Sequence, residues 1–226
     1  MSLLTYPDLE QRSDEWIQLR CGLVTASTIG KLITAKTFKP ANNDTSRAHT
    51  ITLATERITG TVEESFTSND MWRGIMLEPA ARDYYRKHHA PVDEYGMIIR
   101  EQDDWRLGWS PDGLVGDVGS IEIKCPRPHN HVATILTDTV PAEYMPQLQT
   151  ALYVSGRSWI DYVSFASGLP LYVKRVWPDE RWHAAIEVTV AQTETNIRKH
   201  ITDWNVLTAD LPGTDPVDLD DMEIRV

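Results

Sequence analysis

The sequence predicts an α+β fold in which a mixed central sheet is flanked by helices. Three observations predict it. Helical spacing of apolar residues dominates up to residue 88, short period-two runs take over between 96 and 125, and helical spacing returns in two later stretches separated by a strand pair. With 226 residues and 41% hydrophobic content, the chain carries enough apolar material for one well-buried domain. The expected division is a single domain over residues 1–209 and an acidic C-terminal tail over 210–226, where six acids face one base.

Taken in order, Asp14–Arg20 reads as a short helix with Trp16 and Leu19 on one side. Residues 26–34 read as a second, with Thr25 and Ser27 as capping candidates. Pro40 and the pair Asn42-Asn43 make 37–43 a loop. Asp44–Thr59 regains helical spacing through Ala48, Ile51, Ala54 and Ile58, and Gly60 fits its stop. Asn69–His88 is a longer helix with Trp72, Ile75, Met76, Ala80 and Tyr84 along one face, and Pro79 marks a bend. The runs 96–99, 106–109, 113–116 and 120–125, parted by Asp and Gly turns, have the pattern of an antiparallel meander. Residues 140–155 read as a helix ending at Gly156, and 159–166 and 171–176 as two strands. Pro178 reads as the opening of a last helix to about Trp204.

Composition narrows the function classes. A formal charge of −11 counts against a protein that coats nucleic acid nonspecifically. About half of that charge lies in 210–226, so an enzyme with a local basic groove stays compatible. Two cysteines, Cys21 and Cys125, exclude a four-thiolate zinc or iron–sulfur site within one chain and are expected as free, partly buried thiols. No apolar run approaches the ~20 residues that span a bilayer, which predicts no membrane partner. The first residues lack the basic start and apolar core of a signal peptide, which predicts a protein retained where it is made.

The chemistry concentrates at Ser110-Pro111-Asp112-Gly113 and, ten residues after the Asp, Glu122-Ile123-Lys124. Two-residue spacing on a strand puts Glu122 and Lys124 on one face, while the apolar Ile121 and Ile123 fill the other. Two converging carboxylates hold a hard cation through oxygen, and the Ile123 carbonyl is placed to add another ligand. A lysine beside them serves to orient or deprotonate water, or to oppose charge developing on phosphorus. An ordinary Glu/Lys pair on a half-exposed edge strand is the bland alternative. Against it, Lys124 is the only one of seven lysines with an acid two positions before it, and that acid lies in an otherwise apolar strand.

Five ordered blocks carry a resemblance. They are Leu19-Arg20-Cys21-Gly22-Leu23-Val24-Thr25-Ala26-Ser27, Trp72-Arg73-Gly74 leading to Glu78, Ser110-Pro111-Asp112-Gly113, Ile121-Glu122-Ile123-Lys124-Cys125-Pro126, and Tyr144-Met145-Pro146-Gln147-Leu148-Gln149. In order and spacing they resemble the bacteriophage lambda exonuclease family, viral-recombinase alkaline exonucleases of the PD-(D/E)xK nuclease superfamily. The resemblance spans about residues 14–155 and implies a restriction-endonuclease-like core. It further implies an Mg²⁺-dependent enzyme (Mn²⁺ substituting) that degrades the 5′-ended strand of linear double-stranded DNA, releases mononucleotides and leaves 3′ single strands. A ring-shaped homotrimer, a phage single-strand annealing protein as partner, and a phage- or prophage-encoded protein in the cytoplasm of a bacterial host come with it.

Carried over residue by residue, Asp112 and Glu122 match metal ligands and Lys124 the catalytic lysine. Glu78 matches an upstream acid that holds metal directly or through water. Gln147 matches the glutamine of the active-site helix, with Gln149 as second choice. Arg20, Ser27 and Ser110 match positions that bind the terminal 5′-phosphate, which suits a planar guanidinium and a serine near a helix N-terminus. In one departure, Asn130 stands where the family has a further phosphate-binding arginine, with Arg127, His129 and His131 nearby as substitutes. The two histidines themselves read as surface loop residues, and Trp16, Trp72 and Trp109 as core aromatics rather than base-stacking platforms. Two other functions compete: a restriction-type endonuclease on the same core, and a non-catalytic DNA-end-binding recombination accessory protein.

Overall fold

A computed structural model of the chain describes residues 2–62 and 68–215. Most of the predicted acidic tail, 216–226, lies outside the described residues. The helices bounded by local signals fall where the sequence puts them. Helix α1 (Asp14–Arg20) starts at Ser13, whose hydroxyl accepts from the Trp16 N–H. Helix α2 (Asp44–Thr59) starts with a reciprocal Asn43/Ser46 capping box and stops at Gly60, whose φ of 72° favours a residue without Cβ. Helix α3 (Asn69–His88) starts at Ser68 and accommodates Pro79 within its length.

Strands are β1 (Ser2–Tyr6), β2 (Val24–Thr25), β3 (Ile33–Thr34), β4 (Lys39–Pro40), β5 (Met97–Gln102), β6 (Trp105–Trp109), β7 (Gly113–Val115), β8 (Gly119–Lys124), β9 (Trp159–Ser164) and β10 (Tyr172–Val176). The remaining helices are α4 (Pro128–Thr137), α5 (Met145–Ser155) and α6 (Glu180–Thr208). One four-stranded sheet has the order β1-β5-β6-β2, a second the order β10-β9-β8-β7, and β3 pairs with β4. The second sheet is mixed: β8 runs parallel to β9 and antiparallel to β7, while β10 is antiparallel to β9.

Helix α5 lies at the centre of the main core. Leu148, Leu152 and Val154 meet Trp109 and Leu107 of the first sheet, Ile160 and Tyr162 of the second, and Ile186 and Val190 of α6. On the other side of β8, Ile121 and Ile123 pack with Ala81 and Tyr85 of α3. Strand β8 is thus covered by α3 on its apolar face, and its Glu122/Lys124 face turns toward α5. No helix among the described residues is long and apolar enough to cross a membrane.

Several sequence expectations need correction. Residues 26–34 do not form a helix: β2 pairs in parallel with β6, and a 3₁₀ turn at Ile29–Lys31 leads into β3. Ile29, Leu32 and Ile33 are buried, so helix-like apolar spacing there reflects tertiary burial instead. Within the expected loop, Lys39–Pro40 forms β4. The meander is broken at Ser110–Asp112, where the chain leaves the first sheet after β6 and enters the second at β7. His129 and His131, read as surface loop residues, lie on helix α4, with Pro128 in its first turn. His131 is fully buried there, with Nδ1 2.7 Å from the Ser164 hydroxyl and Nε2 2.9 Å from the Pro170 carbonyl. Helix 140–155 is a 3₁₀ turn (Ala142–Tyr144) continued by α5. Pro178 precedes the Asp179 cap of α6 rather than opening the helix. Trp109 is core, but Trp72 is 60% exposed.

Candidate active site

Strand β8 places the central residues. Glu122 is buried, and a lone carboxylate there costs several kcal/mol unless it is compensated. One oxygen, Oε1, accepts from Lys124 Nζ at 2.7 Å and from Gln147 Nε2 at 2.5 Å. The other, Oε2, is buried with no hydrogen-bond partner among the described residues. Lys124 Nζ also stands 5.6 Å from the centre of the Tyr144 ring. Burial disfavours the Lys124 ammonium, but the charges of Glu122 and Asp112 outweigh it and shift the lysine upward, so it stays protonated.

Asp112 sits at the crossing between the two sheets. Its Oδ2 accepts the Ile123 N–H at 2.6 Å, tying the loop to β8. Gly113 follows because a Cβ there would stand 2.1 Å from Val92 Cγ1. Burial, then the charges of Glu122 and Glu78, raise the Asp112 carboxyl well above its usual range, with Lys124 and the Ile123 N–H opposing. Asp112 and Glu122, with the partnerless Glu122 oxygen, offer oxygen donors to a hard divalent cation.

Glu78, on α3, lines the same cleft but is turned onto two arginines. Arg82 Nη2 lies 2.5 Å from its Oε1, and Arg12 Nη2 lies 3.0 Å from its Oε2. Accordingly, no group of three or more His, Cys, Asp or Glu side chains converges on one point among the described residues. Arg82, which the sequence reading did not single out, also donates Nε to the Asp112 carbonyl at 2.7 Å and pairs with Glu94 at 3.0 Å. The four-residue spacing of Glu78 and Arg82 on one helix was the available signal. Arg12 and Gln11 left no such signal.

Arg20, Ser27 and Ser110, the residues expected to bind a terminal phosphate, line the same cleft. Trp16 Nε1 donates to the Ser110 hydroxyl at 2.8 Å, and the Arg20 guanidinium lies 4.1 Å from the Trp16 ring centre and 3.4 Å from Ser27 Oγ. Burial pulls Arg20 down to about 10, with Glu56 opposing, so it remains cationic at neutral pH. Arg20 makes no ion pair with a carboxylate among the described residues, unlike Arg12, Arg73 and Arg127 in the same cleft. Asn130 lines this cleft too, whereas buried His131 is structural. The two glutamines of α5 separate cleanly. Gln147 reaches Glu122, while Gln149 is buried and joins α5 to the start of α6 through the Trp177 carbonyl and the Asp179 N–H. Cys21 and Cys125 are both free thiols, and burial together with Glu78 and Asp112 pushes Cys125 up to about 12. The whole cleft has a volume of about 740 Å³.

Comparison with known proteins identifies the family. The YqaJ-like viral recombinase domain matches residues 15–158. Among solved structures, the alkaline exonuclease LHK-Exo of Laribacter hongkongensis is 34% identical, with a TM-score of 0.78 over 88% of this chain and 100% of that one. The same enzyme in complex with dAMP gives 35% identity and a TM-score of 0.77 over the same shares. A phage-related exonuclease from Haemophilus somnus, at 15% identity, shares the fold with a TM-score of 0.61 over 80% of this chain and 96% of that one. No curated protein matches the chain. With its site on the mixed sheet and these relatives, the chain belongs to the YqaJ-like viral recombinase family, the alkaline exonucleases of lambda type.

Proposed function

We propose that the chain is an Mg²⁺-dependent exonuclease (Mn²⁺ substituting) that digests the 5′-ended strand of linear duplex DNA and leaves 3′ single strands for strand annealing. The observation that carries this is the partnerless, buried Glu122 Oε2 beside Asp112. Asp112, Glu122 and the Ile123 carbonyl would hold the ion, with Glu78 joining directly or through water. A bound divalent cation supplies Lewis acidity at the scissile phosphate and lowers the pKa of water.

The chain's own residues do the rest. Arg20, Ser27 and Ser110 hold the terminal 5′-phosphate and thereby set the first internucleotide phosphate over Asp112 and Glu122. Lys124 orients the attacking water and opposes the charge that grows on the phosphate oxygens. Gln147 fixes the rotamer of Glu122. Water adds to phosphorus and loses a proton, the P–O3′ bond breaks, and the 3′ oxygen takes up a proton. The mononucleotide leaves, and the shortened strand carries a new 5′-phosphate for the same pocket. That LHK-Exo was solved with dAMP, a nucleoside monophosphate, is consistent with such a product. The intact set Glu78, Asp112, Glu122 and Lys124 speaks against a scaffold that has lost catalysis. A homotrimeric ring, with a phage annealing protein loading on the exposed 3′ strand, completes the reading; a ring would gather the cleft arginines of an acidic chain around one channel. Digestion of linear duplex labelled on one strand end tests polarity and metal need together. Loss of 5′ label as mononucleotide, in Mg²⁺ and not in EDTA, with circular DNA untouched, is expected. Release of 3′ label first, or equal digestion in EDTA, would overturn it.

A further inference from the structure

We propose that Arg12 is a DNA-phosphate-binding residue that Glu78 holds in waiting, so that Glu78 and the substrate compete for one guanidinium. This rests on reading the cleft as a nuclease centre. Arg12 has a φ of 74°, in the left-handed region that disfavours any side chain with a Cβ. The chain is kept in this strained turn by Gln11, whose Nε2 donates to the Tyr95 carbonyl at 2.9 Å and to the Pro111 carbonyl at 2.8 Å, next to Asp112. Backbone strain held in place at a site's edge points to a use for the side chain it presents.

Charge compensation of Glu78 is not that use. Arg82, with 10% of its side chain exposed, already engages Glu78 Oε1 and is itself anchored to the Asp112 carbonyl and Glu94. Arg12 comes second, from the solvent side, with 49% of its side chain exposed, and an ion pair of that exposure contributes little to stability. It is the exchangeable one of the two. It lines the catalytic cleft together with Lys124 and Arg20, and also a neighbouring cavity of about 350 Å³ bounded by Glu94, Tyr95 and Pro111. A duplex entering the cleft brings phosphates within reach of this fork, which binds phosphate in two-pronged fashion. Moving Arg12 from carboxylate to phosphate releases Glu78 Oε2 within the cleft that Asp112 and Glu122 also line. Binding of DNA and of the divalent ion then reinforce each other, by the same factor in both directions.

The test uses the full chain, as wild type, Arg12→Gly and Arg12→Lys. Glycine relieves the turn and removes the guanidinium; lysine keeps the charge and the strain. Fluorescence anisotropy with a 5′-phosphorylated duplex in EDTA measures DNA affinity without cleavage, and calorimetric titration with Mn²⁺ alone measures the metal site. For Arg12→Gly, DNA affinity is expected to fall roughly ten- to a hundredfold. The slope of log affinity on log salt should shrink by about one, Mn²⁺ should bind more tightly than to wild type, and the melting temperature should not fall. Arg12→Lys should recover part of the DNA affinity. Unchanged DNA affinity and salt slope would overturn the phosphate role, and equal Mn²⁺ affinity would overturn the competition with Glu78. A wild-type protein that binds DNA through Arg12 but takes up no Mn²⁺ would sink the nuclease reading and leave the phosphate contact standing.

Discussion

Two glutamines two residues apart on α5 should fail in different ways when each is changed to alanine. Gln147 donates to a buried, charged acceptor at 2.5 Å from Glu122 Oε1. A hydrogen bond to a charged group contributes ~1.5–3 kcal/mol, and if the reaction's transition state needs Glu122 held there, Gln147→Ala slows turnover roughly ten- to a hundredfold. Lys124 still donates to the same Glu122 oxygen and Gln147 is itself partly exposed, so its loss should lower the melting temperature by only a few degrees. Gln149 is 1% exposed and accepts from the Asp179 N–H and donates to the Trp177 carbonyl, each at 2.9 Å. Removing it orphans two backbone groups where α6 begins, at ~1–3 kcal/mol each, about 2–6 kcal/mol in total. For a chain of this size that lowers the melting temperature by roughly 5–15 °C. Calorimetric melting and single-turnover digestion of linear duplex, run on both variants, measure the two effects. A Gln149→Ala protein with normal melting but lost turnover would refute the assignment, as would full turnover in Gln147→Ala.

Asp112→Asn should abolish cleavage yet stabilise the metal-free protein. A raised carboxyl pKa makes ionisation cost the folded state, so the penalty is absent below the unfolded value of about 4 and grows as pH rises toward the folded one. In urea melts the variant should gain on wild type across that window and match it in more acidic buffer; Mg²⁺ at a hundred times its Kd should restore about 2.7 kcal/mol to wild type and little to the variant. Arg20→Ala should slow digestion of 5′-phosphorylated ends roughly ten- to a hundredfold and of 5′-hydroxyl ends much less, since it removes one charge-assisted contact. With Asn130 in the cleft, the wild-type preference for phosphorylated ends should be milder than in relatives that carry an arginine there; equal slowing of both ends would make Arg20 a general backbone contact. Light scattering at working concentration should report a trimer, and a strict monomer would remove the ring.

Much of this was legible from local signals. Helices α1, α2 and α3 begin and end where their caps lie, because Ser13, Asn43 with Ser46, Gly60 and Ser68 satisfy backbone groups within a few residues. The pairing of Glu122 with Lys124 followed from the two-residue period of a strand. What the sequence hid is long-range. Nothing local marks Ser110–Asp112 as a crossing between sheets, or tells β8 to pair in parallel with β9 across the intervening α4 and α5. The burial of His131 depends on Ser164 and Pro170, more than thirty residues away. The cluster of Arg12, Glu78, Arg82 and Asp112 joins three separate segments, so only the Glu78/Arg82 spacing was visible in advance. Gln149 stood as second choice to Gln147 in sequence, and its contacts with the start of α6 set the two apart.

The rate at which Glu122→Gln releases mononucleotides from a linear, 5′-phosphorylated duplex in Mg²⁺ tests the central claim most directly. The change keeps the shape of the side chain and its contacts near Lys124 and Gln147 but turns the partnerless Oε2 from a charged oxygen into part of a neutral amide. Loss of a metal-binding carboxylate should cost several kcal/mol of transition-state stabilisation, so the rate should drop by more than about a hundredfold with the fold intact. A folded Glu122→Gln protein that keeps more than about a hundredth of the wild-type rate would contradict the account.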